Sequence, residues 1–225
     1  MKKYIALIGE LDPPGTAGKK ESIPLLLGTE IKYLNDCMGE DLASLFIMTL
    51  RNGFMALWHQ AGRIFEAIER IRSAAKPFGI RIGIGIGEIT TGIDKDHNLR
   101  SDGPAWWEAR KALESTRKFK RGICGSTDIL IRGFDDDGIV GLVDRTLILH
   151  QTVRKRWTKG QAEMVGKIIS INGFTADFSQ KDLAITLGYD RPGLNKKLKS
   201  TYLCDYIQTA NAIENILEKE LNNRL

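Results

Sequence analysis

The sequence predicts an α+β fold: a ferredoxin-like sheet-and-helix domain over residues 1–152, followed by an all-α helix-turn-helix domain over residues 153–225. Three observations predict it. Strand and helix signals alternate through the first 150 residues. Asn52-Gly53 stands between two apolar runs, the strongest short hairpin signal, because both residues tolerate positive φ. From Thr158 onward, each periodic segment reads as a helix.

The elements follow in order. Residues 4–8 are an apolar run ending at Gly9-Glu10, a buried strand. Residues 11–18 hold Pro13, Pro14, Gly15 and Gly18 and form a loop. A helix is predicted over 20–36, and residues 43–50 and 54–58 are the two hairpin strands. Ile64, Phe65, Ile68 and Ile71 fall on one face of the next helix, which Pro77 and Gly79 stop. Residues 81–88 alternate with period two and form a strand. A loop rich in Asp, Asn and Gly leads to a helix over 103–117, and a last strand covers 128–132. This order describes a sheet with helices on one face, and the hairpin argues against an all-parallel sheet. A helix over 138–157, apolar at Ile139, Val143, Leu147 and Val153, carries the chain out of the first domain. Thr158 and Gln161 have the spacing of a capping box at the head of a helix reaching about residue 171.

Composition narrows the function classes. The 225 residues are 42% hydrophobic, which excludes wholesale disorder. No apolar run is long enough for a membrane span, and the one after Met1-Lys2-Lys3 is too short for a signal peptide. Cys37, Cys124 and Cys204 lack zinc spacing and imply no disulfide framework. The expected setting is a reducing cytoplasm. The net charge of +5 is unevenly spread: residues 153–201 hold ten basic residues against four acidic ones. Such a concentration attracts polyanions, or is simply a solvated face.

The strand over 81–88 is the floor of a candidate site. Ile80, Ile82, Ile84 and Ile86 point to one face, and Arg81, Gly83, Gly85 and Gly87 to the other. A row of glycines in a strand implies close approach by a ligand, a base or another backbone, including a packed helix or subunit. It is not a dinucleotide fingerprint, because Glu88 stands where the third glycine belongs. His59, His97 and His150 have no partners at ligand spacing. One of Trp106 and Trp107 should face the core.

The C-terminal part reads as a nucleic-acid module. Ser179-Gln180-Lys181-Asp182 starts a helix, Gly188 makes a turn, and Asp190 can cap a second helix with Pro192 in its first turn. Ala184, Gly188 and Leu194 have helix-turn-helix spacing. Arg191, Asn195, Lys196, Lys197 and Lys199 on the second helix, with Ser179 and Gln180, are the expected contacts to double-stranded DNA. Leu203, Tyr206, Ala210, Ile213 and Leu217 form a 3-4-3-4 seam that either pairs with a second copy or packs on its own chain.

Tyr4-Ile5-Ala6-Leu7-Ile8-Gly9, the strand over 81–88, Asp102-Gly103-Pro104-Ala105 followed by Ala109-Arg110, and Trp157-Thr158-Lys159-Gly160-Gln161 together resemble the SatD family of bacterial proteins. The resemblance spans nearly the whole chain. It implies a cytoplasmic protein with a DNA-binding end and an N-terminal half similar to class III nucleotide cyclases and GGDEF proteins. A cyclase-type reaction uses two metal ions held by two carboxylates. Glu10 or Asp12 stands where the first acid is expected. The hairpin reads Arg51-Asn52-Gly53-Phe54 where the cyclase pattern tends to have Gly-Asp-Glu-Phe, and Asn52 is a poorer ligand for Mg²⁺. No catalytic or metal residue is therefore assigned. Arg81, Glu88, Asp102 and Arg110 form the polar rim of a ligand pocket with Glu10, Asp12 and Asn52, or make structural ion pairs. The expectation is a DNA-binding transcriptional regulator with a non-catalytic cyclase-like sensor or dimerisation domain. Its candidate ligand is a nucleotide with Mg²⁺, and its candidate assembly a homodimer. The alternatives are a nucleotide-binding, metal-dependent enzyme and a scaffold that binds only protein.

Overall fold

The computed structural model describes residues 2–12, 23–49, 53–96, 100–119 and 125–223. Its elements are β1 (Lys3–Asp12), α1 (Ile23–Met38), β2 (Leu42–Thr49), β3 (Gly53–Trp58), α2 (Ile64–Ala74), β4 (Gly79–Glu88), α3 (Pro104–Phe119), β5 (Ile129–Arg132), α4 (Asp137–Lys155), α5 (Lys159–Asn172), α6 (Gln180–Leu187), α7 (Arg191–Thr201) and α8 (Leu203–Asn222). The five strands form one mixed sheet in the order β2-β3-β1-β4-β5. The first four pair antiparallel, as a ferredoxin-like βαββαβ unit requires. α3 then crosses over to β5, which runs parallel to β4.

Strand periodicity sorts the two faces. Ile5, Leu7, Ile80, Ile82, Ile84, Ile86, Ile129 and Ile131 bury against α1, α2, α4 and α8 in the main core. Each such side chain contributes about 2 kcal/mol on leaving water. The other face carries Ala6, Met55 and Leu57, packed on Ala105, Trp106 and Ala109 of α3. The helices thus cover both faces, not one, because the crossover from β4 to β5 places α3 opposite α1 and α2. Trp106 is the core-facing tryptophan, and Trp107 is 48% exposed with its indole donating to Asp102.

The helical part has a small core of its own and is tied to the sheet through α8. α5, α6 and α7 share a small core of Met164, Val165, Ile168, Ile169, Leu183, Ala184, Leu194 and Leu198. α8, however, sends Ala210, Ile213 and Leu217 into the core beneath the sheet. Its seam therefore packs on its own chain. The capping box of Thr158 and Gln161 is present, and Gly188 ends α6 at φ 70°. Asp190 occupies the N-cap position of α7, but its side chain makes no capping bond. At the outer edge, the loop after β4 lies along β2: the Leu45 amide donates to the Lys95 carbonyl at 2.7 Å, and Ser44 Oγ to the Asp94 carbonyl at 2.5 Å.

Candidate functional site

The glycine face of β4 is the seat of α3. A Cβ added at Gly83 would lie 2.0 Å from the Ala109 carbonyl oxygen, and one at Gly85 2.1 Å from that of Ala105. At Gly87 it would meet the Ala105 amide nitrogen at 2.7 Å. The bare strand lets a helix backbone come down onto the sheet, so these three glycines floor no open pocket.

The open ground lies beside α3, toward the end of β1. A cleft of about 320 Å³ is lined by Ile8, Glu10, Met55, Arg110, Leu113, Glu114 and Arg117. Ile8, Met55 and Leu113 give it an apolar floor. Period two on β1 brings Glu10 and Asp12 to the same face as Arg81 of β4, and the antiparallel register sets Glu10 opposite Arg81. Arg81 is buried and donates through Nε to Asp12 at 2.8 Å and through Nη2 to Glu10 at 3.0 Å. Its Nη1 is buried without a partner among the described residues. Arg117 of α3 donates to the same Glu10 oxygen at 3.3 Å.

Of the residues singled out in the sequence, Glu10, Asp12 and Arg81 come together, and Arg110 joins them along α3. Asp102 lies at the far end of that helix, 3.9 Å from Arg110. Glu88 sits at the opposite end of β4, across from Lys3. Asn52 lies outside the described residues. Sequence reasoning missed Arg117, whose signal was its position two turns beyond Arg110 on the same helix face.

The donor set does not suit two metal ions. Glu10 and Asp12 face guanidinium groups, and no cluster of three or more His, Cys, Asp or Glu is poised for a metal among the described residues. A cation placed there would compete with the positive charge of Arg81 and Arg117.

The SatD family model matches residues 4–217. The chain belongs to the SatD family. No curated protein matches it significantly. Among solved structures, it is similar to the dimeric guanylyl cyclase domain of the RhoGC fusion protein from the aquatic fungus Blastocladiella emersonii. That likeness has 12% identity and a TM-score of 0.37, covering 51% of this chain and 75% of that one. It is also similar to the catalytic core of a rhodopsin-guanylyl cyclase with converted specificity in complex with ATPαS, at 13% identity and a TM-score of 0.37, over 51% of this chain and 72% of that one.

These findings correct the expectation of a DNA-binding transcriptional regulator. The comparisons give a SatD family match over residues 4–217 and guanylyl cyclase domains, with no DNA-binding protein reported among them. Several of the expected DNA contacts have structural roles. Ser179 caps α6 by accepting from the Asp182 amide, and Gln180 is the first residue of that helix. Lys197 lies 4.3 Å from the Tyr189 ring centroid and donates to its hydroxyl. Arg191, Lys196 and Lys199 are exposed on α7 and Asn195 is half-buried. No described helix is long and apolar enough to cross a membrane.

Proposed function

We propose that this SatD-family protein binds a nucleotide in the cleft at the end of β1. The observation that carries this reading is the pairing of an apolar floor with two exposed guanidinium groups held only loosely. The Arg110 side chain is 56% exposed, and its 3.9 Å separation from Asp102 exceeds a hydrogen bond. The Arg117 side chain is 64% exposed and makes one 3.3 Å contact to Glu10. Exposed pairs of this kind contribute about 0–1 kcal/mol, so either arginine exchanges its carboxylate for a phosphate at little cost. Ile8, Met55 and Leu113 then receive the base or ribose, and buried Arg81 holds Glu10 and Asp12 in place.

Titration calorimetry with ATP and GTP, with and without Mg²⁺, tests it. Binding is expected without the metal, and Arg110→Glu with Arg117→Glu should weaken it at least about tenfold. Unchanged affinity in that double variant would overturn the reading. Because the described carboxylates are engaged by arginines, incubation with ATP or GTP and Mg²⁺ should yield no cyclic or linear dinucleotide. Turnover that depends on Glu10 would show that the ion pairs open to a metal.

A further inference from the structure

A larger cavity lies on the opposite side of the sheet, where α2, α4 and α5 meet. It measures about 450 Å³ and is walled by Trp157, Val165 and Ile169 on one side and by charged residues of α2 on the other. A neighbouring hollow of about 290 Å³ shares Arg72, Lys76 and Arg154 with it and adds Lys155, Ser126 and Gln151. Together they form a groove of the size that small ligands occupy.

Five cations line this groove, Arg70, Arg72, Lys76, Arg154 and Lys155, against four carboxylates, Asp12, Glu30, Glu69 and Asp128. Arg70 is paired with Glu30 and Glu66, and buried Arg72 with Glu69 and Asp128. Burial pushes Glu69 up, but Arg72 and Arg154 outweigh it and hold the carboxyl at about 2, so it stays ionised. Three other cations lack a hydrogen-bonded carboxylate among the described residues. Arg154 Nε is 3.5 Å from Glu69 yet is buried without a hydrogen bond. Lys155 donates to the Ser126 hydroxyl, a neutral group, at 2.6 Å. Lys76 is exposed and has no polar partner among the described residues. Arg72, only 3% exposed, also keeps a buried Nε without a partner. Gathered cations with unmet donors beside a flat aromatic wall match an anion that carries an organic body.

We propose that this groove binds a phosphorylated small molecule, its phosphates held by Lys76, Arg154 and Lys155 and its body lying against Trp157. The site is distinct from the cleft at the end of β1, though Asp12, which Arg81 links to Glu10, also lines its smaller hollow. An occupant would bridge α2 to α4 and α5, tying the helical part to the sheet and raising thermal stability.

The test uses the full chain carrying Arg110→Glu and Arg117→Glu, which removes the β1-end cleft, titrated in EDTA with pyrophosphate, ADP and adenosine. Pyrophosphate and ADP are expected to bind and to raise the melting temperature, with adenosine at least about tenfold weaker. Adding Lys76→Glu and Lys155→Glu, both at exposed positions, should lower the affinity for pyrophosphate and ADP by at least about tenfold. Binding that survives those two lysine changes overturns the proposal. So does adenosine binding as tight as ADP, or an Arg110/Arg117 variant that binds neither phosphate compound while the wild type does. Failure of all wild-type binding also overturns it.

Discussion

At the scale of single residues, one carboxylate of α8, Glu214, does the work of a missing helix cap, and a second, Glu218, holds the chain just ahead of it. α2 starts at Arg63 with no side-chain cap of its own. Glu214 accepts from the Phe65 amide at 2.8 Å, and Glu218 from the Ala61 amide at 2.7 Å. Burial pushes Glu214 up to about 7, against the pull of the Phe65, Arg63 and Ile64 amides. An acid whose folded pKa is raised binds its proton more readily in the fold, so its contribution to stability falls as pH rises from 4.5 to about 7. His150 has the opposite slope: burial holds it at about 4, so stability falls as pH drops from 6.5 toward that value. The two oppose each other over the lower part of the range, leaving the stretch just below neutrality to Glu214. Glu214→Gln keeps a carbonyl acceptor and does not titrate. Urea unfolding at a series of pH values should show it gaining on the wild type from pH ~5 to ~8, and parallel curves would rule this out. Glu214→Ala should cost about 1 kcal/mol at acidic pH, as lost caps do.

At the scale of elements, β4 shows what a sequence discloses and what it withholds. Alternating isoleucine and glycine disclosed the strand and its two faces, because side-chain period is a local property. The antiparallel pairing of β2 with β3 was legible too, because turn chemistry between two apolar runs is also local. What sits on the glycines was not, since a ligand and a helix make the same demand on the strand, the absence of a Cβ. The cleft was half legible: Glu10, Asp12, Arg81 and Arg110 stood out, but Arg117 is brought to Glu10 from 107 positions away. The charged groove was missed altogether, for its residues come from α1, α2, α4, α5, strand ends and segments between elements, with no shared motif. Gly85→Val tests the helix seat. Its new side chain would meet backbone atoms of Ala105 and Ala109 at 2.1 and 2.2 Å, and backbone cannot rotate aside. A loss of about 1–3 kcal/mol is expected in denaturant unfolding. Gly92→Ala, with nothing within 4 Å, is the control and should stay near the wild type.

At the scale of the whole molecule, the last helix is a foundation of the first sheet. Ala210, Ile213 and Leu217 are fully or almost fully buried in the core under β1 and β4. Lys3 of β1 donates to Glu220 at 3.0 Å. A chain ending after Tyr202 should therefore lose its cooperative thermal transition by circular dichroism, through exposed core rather than through any lost ligand contact. An unchanged melting midpoint would show that the sheet stands without α8. The loop resting on β2 has a consequence for how copies of this chain can meet. An outer strand with free amides invites another chain to add itself. Here the Leu45 amide is already spent on Lys95, and Asp94 accepts from Ser44 beside it. The loop is a bumper at that point of the margin, which leaves β5 as the sheet's other edge for a neighbouring strand.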